Sequence, residues 1–154
     1  MTVTQLTAKN LRDVHFGKNW TTTNLKDVLA DVTWKEAITK VQDFNTIAVL
    51  TYHVCYYVPA LIDVLEGRPL TAKDELSFLC PEITCEADWQ KIQTDAWENA
   101  EKAASMIENL PTERLAEDFT DQKYGSYHRN LYGTIEHMYY HLGQIVILKR
   151  LIRN

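Results

Sequence analysis

Apolar residues in this chain recur every three or four positions, the period of a helix, and no stretch alternates as a half-buried strand would. Val3, Leu6, Leu11 and Val14 predict a first helix over residues 3 to 16, broken by Gly17 and the run Thr21-Thr22-Thr23-Asn24. Asn24 is placed to cap a short turn over residues 25 to 30, because its side-chain oxygen can take a free N–H of the first turn. Thr33-Trp34-Lys35-Glu36 has the capping-box spacing and predicts a second short turn. From Phe44 to Glu66 the stripe Ile47, Leu50, Val54, Tyr57, Leu61 and Leu65 predicts a second long helix, stopped by Gly67 and Pro69. Pro59 lies inside it, lacks an N–H and crowds the carbonyl of Cys55, which predicts a bend one turn past His53. Residues 68 to 86 read as a long connection with helical character between 72 and 79. Trp89, Ile92, Ala96, Ala103, Ile107 and Leu110 predict a third long helix, ended by Pro111. A polar loop over 112 to 127 then closes on Tyr124-Gly125-Ser126-Tyr127. A last helix starts at about His128, with apolar spacing sustained to Ile152.

Four long amphipathic segments without strands predict an all-α domain, a four-helix bundle. The connections after the first and second helices are long, so crossovers are expected. The 154 residues, 45% hydrophobic and 24% charged, suit one globular domain with a proper core. A net charge of −5 with scattered Lys and Arg leaves no footprint for nucleic acid. The one basic cluster, Lys149-Arg150-Arg153, reads as cations at a helix C-terminus. No apolar run reaches the roughly 18 residues that span a membrane. The N-terminus lacks a signal-peptide pattern, so a cytoplasmic location is expected. Cys55, Cys80 and Cys85 are odd in number and form no CxxC pair, so they read as free thiols and not as zinc ligands.

The candidate chemistry lies in the histidines. His137 and His141 are four residues apart on the last helix, so their imidazoles stand on one face, the spacing that offers two nitrogens to one metal ion. Met138, Ile145 and Leu148 share much of that arc, so the pair points inward. His53 falls mid-helix on a face with Leu50, Tyr57 and Ala60. Each of these histidines read alone is a core residue satisfied by a neighbour. Read together, three inward imidazoles cost about one to three kcal/mol each if unpaired, and a shared cation would satisfy all three. His15 and His128 lie near helix ends without a matching partner. Gln144, one turn from His141, is a candidate to hydrogen-bond a ligand from behind, or a plain structural amide. Tyr52, Tyr56, Tyr57, Tyr139 and Tyr140 flank the ligands, with Tyr57 one turn from His53. Glu136 is about 100 degrees around the helix from its neighbour His137 and reads as surface. Gly133 and Gly143 each cost the last helix about 1 kcal/mol relative to alanine, which close helix packing or room over the site would explain.

Phe44-Asn45-Thr46-Ile47-Ala48 leading into Thr51-Tyr52-His53, Leu65-Glu66-Gly67, and His137-x-x-x-His141-x-Gly143-Gln144-Ile145 together resemble the DinB-like superfamily, in order and spacing over residues 24 to 151. The resemblance implies a four-helix bundle, often homodimeric, with a divalent metal held by His53, His137 and His141. It departs at Leu142, where the family often has arginine. Three imidazoles leave coordination positions open, as in catalytic sites, and suit zinc, nickel, copper, cobalt or iron(II), with zinc or nickel expected here. Some relatives use such a site to transfer a low-molecular-weight thiol. The expected function is therefore a metal-dependent small-molecule enzyme, a thiol S-transferase or a hydrolase. The alternative is a metal-binding or structural bundle acting through dimerisation or a protein partner.

Overall fold

The computed structural model describes residues 1–154, and the chain is all-helical. In order it forms α1 (Val3–Phe16), α2 (Leu25–Leu29), α3 (Trp34–Ile38), α4 (Ile47–Leu65), α5 (Glu86–Glu108) and α6 (Tyr127–Arg153). Short 3-10 segments occupy Asp74–Leu76, Thr112–Ala116 and Gln122–Tyr124. The four long helices pack in a ring. α1 lies against α5, α5 against α4, α4 against α6, and α6 against α1, with no comparable contact between α1 and α4 or between α5 and α6. The connections that cross between non-adjacent helices are thus 17–46 and 109–126. The connection 66–85, also expected to cross, joins the neighbours α4 and α5.

Local chemistry sets the helix ends. Thr2 and Gln5, and Thr33 and Glu36, form reciprocal capping boxes at the starts of α1 and α3, and Asn24 accepts from the N–H of Asp27 at 2.9 Å. α4 begins at Ile47, not Phe44, because the Thr46 hydroxyl takes the N–H of Val49 at 3.2 Å, leaving Phe44 outside and exposed. It ends where Gly67 adopts φ +78°. The N–H of Arg68 then reaches the Asp63 carbonyl at 2.8 Å and that of Gly67 the Val64 carbonyl at 3.0 Å. The helix runs on through Pro59, which is exposed. Between 72 and 79 only the single 3-10 turn Asp74–Leu76 is helical.

One continuous core of 29 buried residues joins all four long helices. In α1 the buried face is not the one marked by Val3 and Leu6, which are exposed. Thr4, Thr7, Ala8, Leu11 and Val14 face inward instead. Thr7 can be buried because its hydroxyl donates to the Val3 carbonyl at 2.9 Å, which removes most of the desolvation cost. Trp89 is fully buried on α5 and donates its indole N–H to the Val32 carbonyl at 2.8 Å, fastening the first crossing connection to the core. The basic end of α6 is also tied to that connection: Lys149 pairs with Asp31, and Arg153 with Asp31 and Glu36. α4 is long and apolar enough to cross a membrane by length and composition, contrary to the expectation from apolar runs. However, 56% of that window is buried inside the fold, where its side chains pack against α5 and α6.

His15, in the last turn of α1, is fully buried beside Phe16 and Trp97. Its Nδ1 donates to the Leu11 carbonyl at 2.7 Å and its Nε2 has no partner. A second proton would be an unpaired buried charge, so burial pushes this imidazole down to about 4. The unfolded chain takes up that proton below about pH 6.5 and the folded chain only near pH 4. Stability therefore falls as pH drops through that window, by up to about 3 kcal/mol from this residue. In metal-free protein, denaturant titrations from pH 6.5 to 4 are expected to show a shallower loss for His15→Leu than for wild type. Equal slopes would contradict this assignment.

Candidate metal centre

His53 comes from the middle of α4, and His137 and His141 from adjacent turns of α6; the packing of α4 on α6 brings them together. Ring centroids lie 4.8 Å apart for His53 with either α6 histidine and 4.5 Å apart for the α6 pair. One nitrogen of each ring lies within 4.8 Å of those of the other two, and His53 Nε2 is 3.0 Å from His137 Nε2. A tetrahedral zinc ion bound at 2.0–2.1 Å needs nitrogens roughly 3.3 Å apart, so small side-chain rotations close the set around one ion.

The opposite edges of two rings are anchored. Ser77, fully buried, donates its hydroxyl hydrogen to the Asp74 carbonyl at 2.6 Å. Its oxygen therefore accepts from His53 Nδ1 at 2.8 Å. The Gln144 side-chain oxygen accepts from His141 Nδ1 at 2.7 Å. An oxygen that can only accept fixes the proton on Nδ1 in both rings and leaves both Nε2 lone pairs free. The close Nε2 pair of His53 and His137 is then joined by a proton on His137, the position a cation would take over. His53 and His141 thus already hold the tautomer that a divalent transition metal requires, and His137 would complete the donor set by giving up its Nε2 proton.

The site keeps His53 and His137 neutral. Burial lowers the affinity of His53 for a proton, and the neighbouring His141 lowers it further. Burial, with His141 and His53 close by, pushes His137 down to about 4. Phe78 stacks on His53 with centroids 3.9 Å apart, and Tyr57 meets both His53 and His137 edge-on. Tyr57 donates its hydroxyl to Asp74 at 2.8 Å, so it braces the turn that carries Ser77. The centre is most exposed at His137. His53 and His141 are buried, while His137 borders a cavity of about 320 Å³ whose other walls are Tyr57, Arg129, Asn130, Gly133 and Thr134.

The remaining candidates fall elsewhere. Tyr52 and Tyr56 face a separate cavity between α4 and α5, Tyr139 packs on the core, and Tyr140 touches His141 edge-on but is mostly exposed. Glu136 and His128 are exposed, and His15 is buried away from the centre. A methyl group on Gly133 or Gly143 would meet nothing within 4 Å, so neither glycine serves close helix packing within the chain; Gly133 lines the pocket that His137 borders. The cysteines are free and none approaches the histidines. Burial pushes Cys55 up to about 12 and Cys80 up to about 11, so neither is a ready nucleophile. Asp74, Ser77 and Phe78 were missed by sequence reasoning. They sit in an irregular connection with no periodicity, and only Asp-x-x-Ser beside a 3-10 turn hints at a buried hydroxyl.

If Ser77 and Gln144 orient the ligands, Ser77→Ala and Gln144→Leu should each weaken zinc affinity about 10- to 100-fold in chelator competition, with helix content unchanged. Unaltered affinity in both would mean that the anchors do not act on the metal. No protein-family model, curated protein or solved structure matches the chain, so the reading of this centre rests on its own residues.

Proposed function

We propose that this chain is a DinB-like four-helix bundle that binds a divalent transition metal, zinc or nickel, through His53, His137 and His141. We further propose that it uses the open side of the site as a metal-dependent small-molecule enzyme of thiol S-transferase or hydrolase type. The observation that carries this reading is the pair of Nδ1 anchors on Ser77 and Gln144, which leave convergent Nε2 lone pairs beside a cavity. When bound, such an ion acts as a Lewis acid that brings a water or a thiol to nucleophilic strength near neutral pH. The chain's own part is to hold His53 and His137 neutral, to exclude water from the His53 and His141 side, and to admit a ligand past His137. Tyr57, with its proton committed to Asp74, walls the entrance and steadies the Ser77 turn. The ring of four long helices supports the bundle assignment, and the burial of α4 supports a core helix of a soluble protein.

A second reading, a non-catalytic bundle acting through self-association, is favoured by one feature. Tyr132, Tyr140, Ile147 and Leu151 form an exposed stripe along α6 with Gly143 in the same face, and exposed Phe44 borders a 280 Å³ apolar groove with Ile147 and Leu151. Such an exposed apolar stripe suits a second copy of the chain, and a homodimer is compatible with either reading. Cobalt-substituted protein titrated with 2-mercaptoethanol tests the two. The enzyme reading predicts a visible spectrum that changes saturably with thiol and not with ethanol, and a spectrum indifferent to both would favour the structural reading. The same samples are expected to run as dimers in size exclusion with light scattering, and monomers would remove the dimer.

A further inference from the structure

The cavity beside His137 has a charge at its rim that the fold leaves without a partner. Arg12, Arg68, Arg114 and Arg153 each pair with a carboxylate. Arg129, in the first turn of α6, makes no ion pair, and its guanidinium makes no hydrogen bond. Its stem is nonetheless placed. It lies over Gly125, at φ +74°, where an added Cβ would come within 2.7 Å of the Arg129 Cδ. The glycine therefore does two things: it makes the turn into α6 and it leaves a channel for this side chain.

The other polar groups lining the cavity are already engaged. Tyr57 donates to Asp74 at 2.8 Å, Thr134 to the Asn130 carbonyl at 2.8 Å, and the Asn130 amide to the Tyr124 and Ser126 carbonyls at 3.0 and 2.9 Å. Arg129 is the one cationic donor in the lining that is free to meet a ligand. An adjoining cavity of 440 Å³ shares Tyr57, Asn130 and Thr134 with the first and adds the apolar walls Leu61, Leu70 and Phe119. Three neutral imidazoles do not offset the charge of a divalent ion, so the mouth of the centre, Asp74 aside, carries a surplus of positive charge.

From these observations we infer that Arg129 recognises a carboxylate on the small molecule that reaches the three-histidine centre, with the apolar part of that molecule lying toward Leu61, Leu70 and Phe119. Guanidinium meets carboxylate through two parallel N–H···O bonds, a match that a neutral isostere of the ligand lacks. The inference rests on the three-histidine reading for what the ligand does once bound, but not for its capture.

The test is calorimetric titration of zinc-loaded protein with 3-phenylpropionate and with 3-phenylpropanol. Wild type is expected to prefer the acid by about tenfold or more. Arg129→Ala should lose most of that preference, Arg129→Lys should keep part of it, and Arg150→Ala, an unpaired surface arginine outside this cavity, should keep all of it. Equal preference in wild type and Arg129→Ala would overturn the assignment, as would an equal loss in Arg150→Ala. Zinc content is measured in the same samples. A wild type without zinc would overturn the metal reading, and the acid-over-alcohol comparison on the zinc-free chain would still decide the role of Arg129.

Discussion

The hydrogen bond from His53 Nδ1 to Ser77 is the constraint on which this centre depends. An imidazole buried on a helix face has two nitrogens, and only one can point at a shared target. The Ser77 oxygen, having given its hydrogen to Asp74, can only accept, and so it dictates which nitrogen keeps the proton. Gln144 imposes the same choice on His141 from within α6. With both decided, the free lone pairs of α4 and α6 converge, and the proton left between His53 and His137 marks where a cation fits. Burying three such rings among apolar side chains is costly, and these two anchors recover part of that cost before any ion arrives.

The fold supplies what the anchors need. The ring of long helices sets α4 against α6, so the two adjacent turns of α6 that carry His137 and His141 face the middle of α4. The connection from α4 to α5 joins neighbours, but it is far longer than that step requires. The surplus lets its 3-10 turn lay Ser77 and Phe78 against His53. The first crossing connection is held by side chains: Trp89 reaches back to Val32, and Lys149 and Arg153 hold Asp31 and Glu36. The entrance is set by small residues. Gly133 lines the pocket beside His137, and Gly125 leaves space for the stem of Arg129.

What could be read in the sequence was whatever helical periodicity fixes. The inward pairing of His137 with His141, the placement of His53 on the α4 core face, and the caps at Asn24 and Thr33 depend on spacings of three and four, and the structure has them. Gln144 could be placed one turn from His141 for the same reason, although its bond to the ring could not be distinguished from a structural amide. The inward face of α1 was misjudged because Thr4 and Thr7 satisfy their hydroxyls within reach of their own helix and can be buried like alanines, while Val3 and Leu6 tolerate exposure at its first turns. Ser77 was out of reach. Its role follows from where a tertiary connection lies, which no local period encodes.

The central claim is that imidazoles of α4 and α6 share one cation and leave part of its coordination shell to solvent or ligand. X-ray absorption at the zinc edge of the loaded protein tests it most directly. Three histidine scatterers at about 2.0 Å with one or two further light atoms are predicted, and no sulfur. A sulfur scatterer near 2.3 Å would place the ion on the cysteines, and one or two histidines would separate His53 from the pair on α6; either result would contradict the account.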